Sequence, residues 1–331
     1  VVDEMVKSKW RFWVLLGLSS LLAGGCENEN KERVLRLGHG LDRSHPVHKA
    51  MEYMANRLAE RSEGAIRLDI IPNAELGSEQ ELIEKARSGD LAMVKASAAN
   101  LERFDPVMGV FGFPYLFSDS EHYWKVLNGP IGKEILLSAE SAGLIGLCFY
   151  DAGGRSFYTT TEKIDHPADL EGLRIRIIDS PTSMEMIRVL GAEPAPLAFG
   201  DLYSALQEGI VEGAENNPPS FYTSRHYEIC PYYSLDEHTM IPDVLLISAK
   251  DWEALPSELR IMVKESAEES SRYQRELWTE ETKDKLELLL KQGVEIIRPD
   301  KAPFQQATQT MYADYKGAPL GELIDSIRNL Q

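Results

Sequence analysis

The feature that most constrains this chain is a strand–helix alternation that occurs twice, with no linker between the two runs. Val34 to Leu37 reads as a strand, and His45-Pro46 opens a helix. In that helix Val47, Met51, Met54 and Leu58 recur at helical spacing, Pro46 suits the first turn, and Gly64 ends it. Ile66 to Ile70 alternates as a strand. Ser78 starts a helix over 79–87 with Glu81 at capping-box spacing, and Leu91 to Val94 is the next strand. Such a rhythm predicts a parallel sheet with helices on its faces. It returns with strands at Ser156 to Thr159 and Leu173 to Ile178, a helix from Pro181 to Leu190, a helix from Asp201 to Gln207 and a strand at Ile210 to Ala214. A long helical segment follows from Pro256 to Gln292, with apolar residues at Ile261, Val263, Tyr273, Leu277, Leu286, Leu289 and Leu290. At roughly 1.5 Å per residue it exceeds one domain's width and is expected to brace both units. Two α/β units without a linker fit lobes joined by several crossings around a closing cleft, or equally two rigidly packed domains.

Charge narrows the function. Lys and Arg number 35 against 53 Asp and Glu, a formal charge of -18 over 331 residues. That argues against nucleic acid or an anionic lipid surface as partner. An anionic ligand would have to be held by a few Arg or Lys in a local site.

The N-terminus reads as a targeting signal. Lys7, Lys9 and Arg11 precede an apolar stretch from Phe12 to Ala23, too short to span a bilayer comfortably. Leu22-Ala23-Gly24-Gly25-Cys26 resembles a bacterial lipobox, which makes Cys26 the lipidated residue, 1–25 the signal peptide and 26–33 a polar tether. An ordinary cleaved signal or a signal anchor is the alternative. The membrane is then met only through that lipid. Cys148 and Cys230 lie in apolar surroundings that favour buried free thiols over a bridge.

Several motifs are set aside. Gly38-His39-Gly40 follows a strand but lacks the third glycine of a dinucleotide site, and there is no Gly-x-Ser-x-Gly elbow. His45 and His48 are one helical turn apart with no further ligand at metal spacing, so a solvated helix start is expected there. Nothing calls for a cofactor or a metal.

The informative stretch runs from Asp151 to Ser248. Gly153-Gly154-Arg155 places an arginine at a strand start, and Leu173-Arg174-Ile175-Arg176-Ile177 carries two on one face. Arg176 falls at the C-terminal end of a presumed parallel strand, where ligand crevices of α/β sheets open. Its planar fork suits a carboxylate. Asn216 and Asn217 follow the next strand and suit hydroxyls, and Phe199 offers an apolar wall.

These stretches resemble the extracytoplasmic solute receptors of TRAP transporters, the DctP-type family. The resemblance covers most of residues 33 to 300. It includes His45-Pro46, Leu76-Gly77 before Glu79, Phe113-Pro114-Tyr115, Gly172 to Arg176, Tyr203-Ser204-Ala205-Leu206-Gln207, Glu215-Asn216, Tyr227-Glu228, His238 and Trp252-x-x-Leu255-Pro256. It implies an α/β, periplasmic-binding-protein-like fold of two lobes with crossing hinge strands and a long bracing helix. Lobe I is then 34–153 with 242–281, and lobe II is 154–241 with 282–331. It further implies that Arg176 grips the ligand carboxylate in two-pronged fashion, with Arg155, Asn216 and Phe199 beside it. Lys95 or Ser97 would face the ligand from the other lobe, and His39 and Glu79 are weaker candidates.

Glu215-Asn216-Asn217-x-Pro219-Ser220, His226-Tyr227-Glu228 and Asp236-Glu237-His238 resemble the branch that takes hexuronates and related sugar acids. Asn217, Glu79, Lys95 and His238 would give a hydroxyl-rich ligand many partners. Asp243 stands where that branch often has Glu. The expectation is therefore a non-enzymatic, monomeric receptor outside the cytoplasmic membrane. It would capture a glucuronate- or galacturonate-like acid and deliver it to TRAP membrane subunits. A receptor for a C4-dicarboxylate or other small organic acid is the alternative, ahead of a sugar-acid enzyme or a sensor.

Overall fold

A computed structural model describes residues 32–330; the signal-peptide and Cys26 readings lie outside them. The first half of the chain runs β1 (Arg33–Gly38), α1 (Pro46–Arg61), β2 (Ile66–Ile71), α2 (Glu79–Ser88), β3 (Met93–Ser97), α3 (Ala98–Leu101), α4 (Ser120–Asn128), α5 (Pro130–Ser138) and β4 (Leu144–Tyr150). It continues through β5 (Arg155–Thr159), β6 (Arg174–Ile177), α6 (Pro181–Val189), β7 (Glu193–Pro196), α7 (Leu202–Gln207), β8 (Gly213–Asn216), α8 (Pro218–Thr223), β9 (Tyr232–Thr239) and β10 (Asp243–Ser248). The last elements are α9 (Ala249–Ala254), α10 (Ser257–Lys291), β11 (Glu295–Ile297), α11 (Lys301–Asp314) and α12 (Pro319–Arg328).

These strands form two sheets, ordered β2-β1-β3-β10-β4 and β11-β9-β5-β8-β6-β7. The expected parallel pairing holds for β1 with β2 and β3, and for β6 with β7 and β8. Each sheet nevertheless carries one reversed strand. β10 runs antiparallel to β3 and β4, and β5 runs antiparallel to β8 and β9. Both are strands by which the chain enters one sheet directly from the other, through 151–154 and 240–242, and a direct entry reverses direction. The chain crosses a third time through α10.

Local chemistry explains the helix starts. The His45 ring accepts from Val47 N ahead of Pro46, and Ser78 and Glu81 complete the capping box of α2. The strand at Leu91–Val94 lies two to three residues later than its apolar run, because Lys95 and Ser97 extend it as buried polar positions. The next-run strand placed at Ile210 to Ala214 shifts likewise to β8, with Ile210 left exposed.

Helix α10 is 35 residues long and packs on α1 and β4 of the first sheet's half and on α8 of the second's. It braces both, though only in part through the residues its apolar spacing offers: Val263 and Leu289 are buried, whereas Ile261 is 58% exposed and Leu290 57%. The buried side is Val263, Ser266, Ala267, Ser270, Ser271, Gln274, Trp278, Glu281 and Leu289. Small and amide side chains let the helix lie close to strand β4 and bond it. Ser271 Oγ donates to Phe149 O at 2.6 Å, and Gln274 holds both Asp151 N (2.7 Å) and Asp151 O (2.9 Å).

One apolar core lies between α1, α10 and the first sheet, around Leu37, Met51, Met54, Leu245 and Trp278. Another lies under α7 and α8, around Tyr158, Phe221 and Tyr233. The largest runs continuously from Leu82, Val94 and Leu246 to Phe157, Ile177 and Phe304, so it joins the two sheets. No helix among the described residues is long and apolar enough to cross a membrane.

Candidate ligand-binding site

The C-terminal ends of β3, β6 and β8 converge, as expected for α/β sheets, on a cavity of about 190 Å³ lined from both sheets. Alternation along β3 puts Lys95 and Ser97 on one face, and the antiparallel register sets Asp243 opposite Ser97. On the other side β6 supplies Arg176, β5 Arg155 and β8 Asn216.

Arg176 is 3% exposed. Its Nε (2.9 Å) and Nη2 (2.8 Å) both donate to the Leu197 carbonyl, which fixes the guanidinium with its end toward the cavity. The Phe199 ring centroid lies 5.7 Å from it. No carboxylate among the described residues pairs with it, and burial pulls its pKa down. Burying a cation without a counter-ion is costly, so the geometry calls for an anion.

Arg155 differs. Its Nε and Nη2 fork onto the Glu215 carboxylate, with Nη2 to Oε1 at 2.8 Å, and Nη2 also meets Glu215 O at 2.9 Å. Only Nη1 reaches further, to Asn216 Oδ1 at 3.1 Å. Burial opposes the Glu215 charge, but Arg155 and His238 outweigh it and bring the carboxyl down to about 2. The Asn216 oxygen also accepts from Asn217 N (2.9 Å), and Asn217 Oδ1 caps α8 by accepting from Ser220 N (2.8 Å). Both amides therefore have Nδ2 to offer a ligand.

The opposite wall is a closed polar cluster. Lys95 Nζ lies 2.6 Å from Glu79 Oε1 and 3.3 Å from Asp243 Oδ1. Glu79 Oε2 accepts from Ser97 N (3.1 Å) and Asn100 Nδ2 (2.6 Å). Desolvation works against Glu79 ionising and these donors overcome it, whereas burial raises Asp243.

The structure thus brings together Arg155, Arg176, Asn216, Asn217, Phe199, Lys95, Ser97 and Glu79. His39 and His238 do not line the cavity. His39 is buried against His48 at 2.9 Å, one residue from the lining Gly40. His238 sits behind the wall, with Nδ1 2.8 Å from Asp236 Oδ2 and Nε2 3.6 Å from Glu215 Oε2. The start of α1 is not solvated as expected: His45 and His48 are buried, and His45 Nε2 meets Ser220 Oγ at 3.2 Å. No metal-holding cluster occurs among the described residues. Sequence reasoning missed Gln80, Asn100 and Asp179 as lining residues. Asp179 carried a signal, since it stands three residues past Arg176 at the same strand end. Gln80 and Asn100 reach the cavity only through the packing of α2 and α3 and carried none.

A cavity between two α/β sheets, holding a buried guanidinium that has no acid and amides with free donors, defines a solute-binding protein. The chain belongs to family 7 of the bacterial extracellular solute-binding proteins, DctP, which matches residues 37–318. Its location is therefore extracytoplasmic. A TRAP periplasmic solute-binding protein from Xanthobacter autotrophicus with bound β-D-galacturonate is 39% identical, with a TM-score of 0.87 over 90% of this chain and 100% of that one. A second from Chromohalobacter salexigens with bound D-glucuronate is 32% identical, with a TM-score of 0.87 over 90% and 100%. The 2,3-diketo-L-gulonate-binding periplasmic protein of Escherichia coli is 28% identical over 89% of this chain and 92% of its own.

Proposed function

We propose that this protein is the receptor of a TRAP transporter for a hexuronate, glucuronate or galacturonate, and hands it to the membrane subunits. Arg176 takes the carboxylate end-on, Arg155 Nη1 and the Asn216 amide flank it, and Phe199 covers one face. Asn217, Ser97, Lys95 and Glu79 meet the hydroxyls. The lobes are those bounded above, the receptor acts as a monomer, and Cys26 carries its lipid anchor.

The observation that carries the reading is the charge pattern of the cavity. Arg155 is neutralised by Glu215, and Lys95 by Glu79 and Asp243, so Arg176 alone seeks an anion. One carboxylate satisfies it. A second carboxylate at the far end of a dicarboxylate would meet Glu79, Asp243 and Asp179, and like charges placed there are repelled. A hydroxylated chain meets the same carboxylates as hydrogen-bond acceptors. The uronates bound by similar structures have this make-up.

The test is a thermal-shift screen on protein unfolded and refolded to strip co-purified ligand. A ligand of the folded state raises the melting point as its concentration passes the dissociation constant. A shift with hexuronates and none with C4-dicarboxylates or keto acids is expected. A shift with dicarboxylates alone would replace the hexuronate by that class.

A further inference from the structure

At the solvent edge of the cavity an acid stands where an anion-binding site has least use for one. Asp179 follows β6, three residues beyond Arg176, and lines the cavity. Its two oxygens are claimed from the opposite wall. Arg103, just past α3, donates Nη2 to Oδ1 at 2.5 Å, and Gln80 of α2 donates Nε2 to Oδ2 at 2.9 Å. The adjacent residues repeat the arrangement. Glu102 accepts from Ser180 Oγ, from Thr182 Oγ1 at 2.6 Å and from Thr182 N at 3.2 Å, so an acid of the first half caps the N-terminus of α6 in the second.

We propose that Asp179, held by Arg103 and Gln80, is a positioning residue that latches the cavity mouth and sets how long a bound ligand stays. A contact that exists only when the walls meet stabilises the closed state and leaves the open state alone. It therefore slows ligand release without changing encounter. A further cross-cleft bond near the cavity, His45 to Ser220, is buried and neutral. The Asp179 bridge is charged and reaches solvent, so salt weakens it. The latch rests on the proposed function only for the ligand that reports it.

The test is stopped-flow binding of D-glucuronate and D-galacturonate, or of whichever acid shifts the wild-type melting point, at low and high salt. Asp179→Asn and Arg103→Gln are each expected to raise the release rate about two- to fivefold, the range of a partly exposed ion pair. The association rate should change less than the release rate, because the substitutions alter the charge at the mouth by only one, and release from the double variant should be no faster than from either single one. Wild-type release should quicken with salt and Asp179→Asn release should not. Unchanged release, equal changes in both rates, or additive effects would overturn the latch. Arg103 is largely exposed, so its variant stands if Asp179→Asn fails to fold. Wild type that binds neither uronate overturns the proposed function instead. Small-angle scattering of ligand-free protein needs no ligand: a radius of gyration at or above wild type is expected for Asp179→Asn, and a smaller one would overturn the latch.

Discussion

Arg155 and Glu215 face each other in a forked ion pair, Nη2 to Oε1 at 2.8 Å with Nε on Oε2, at the back of a cavity where Arg176 has no acid of its own. The two arginines therefore have different expected phenotypes. One is part of the protein's own wiring, and the other is incomplete without a ligand.

Arg176→Ala should cut affinity on the order of a hundredfold or more, about 3 kcal/mol or above, because the ligand carboxylate would be desolvated with nothing to pair it. Arg176→Lys should fall between the two, since it restores charge without the fork. Calorimetric titration with the uronate that binds best measures both. Wild-type affinity in Arg176→Ala would remove it from the site. The fold should survive, because Arg176 bonds only one carbonyl of its own lobe.

The group behind the wall predicts a stability profile. Burial of His238 opposes its charge, but Asp236 at 2.8 Å and Glu215 at 3.6 Å outweigh burial and raise it to about 9. Burial also pushes the Asp236 carboxyl up. One proton serves the contact, and Glu215 as a second acid favours its staying on the imidazole. An unfolded histidine titrates near 6.5. The stabilisation should be complete below about pH 6.5 and disappear as pH rises through about 9, a loss on the order of a few kcal/mol. Glu215 sets the acid side: its contribution is present above about 4.5 and lost as pH falls through about 2. Urea unfolding between pH 6 and 10 reads the alkaline limb. His238→Gln should flatten it, and a wild-type profile in that variant would reject the charged imidazole.

How much of this was legible depends on range. The capping box of α2, the proline starts of α1 and α6 and the C-terminal end of β6 follow from neighbouring residues, and the last of these puts Arg176 on the cavity wall. Arg155 and Asn216 also stood out from their neighbours, at a strand start and a strand end, and the resemblance put both beside the ligand carboxylate. The sequence held no sign that Arg155 is occupied by Glu215, since that pair depends on β5 and β8 running side by side. The buried side of α10 was hidden for a similar reason. Ser266, Ser270 and Gln274 read as a solvated face until β4 and α1 are seen to lie against them. His39 and His238 came with the resemblance, and both are buried behind the cavity wall.

Gly153 sits in the crossing between β4 and β5 at φ 58°, and a Cβ there would stand 2.9 Å from Trp278 Nε1. Trp278 belongs to α10, so the crossing strand and the bracing helix touch where the chain changes sheets. Gly153→Ala must meet both the left-handed conformation and the indole, a cost of about 1–3 kcal/mol. A melting temperature lowered by several degrees is expected. An unchanged one would mean that the crossing has room to move away from the helix.

Cys148 and Cys230 are both buried and unpaired, one in β4 of the first sheet and one just before β9 of the second. Burial pushes the Cys148 thiol far up, and Cys230 up to about 12. The nucleophile is the thiolate, so neither should react at neutral pH while the protein is folded. In a Cys26→Ser variant, which leaves only these two, a thiol reagent such as dithionitrobenzoate should release almost no colour from native protein. Two equivalents should follow on adding denaturant without reductant. One slow native equivalent would show that one strand opens locally. None after unfolding would show that the two thiols had been joined.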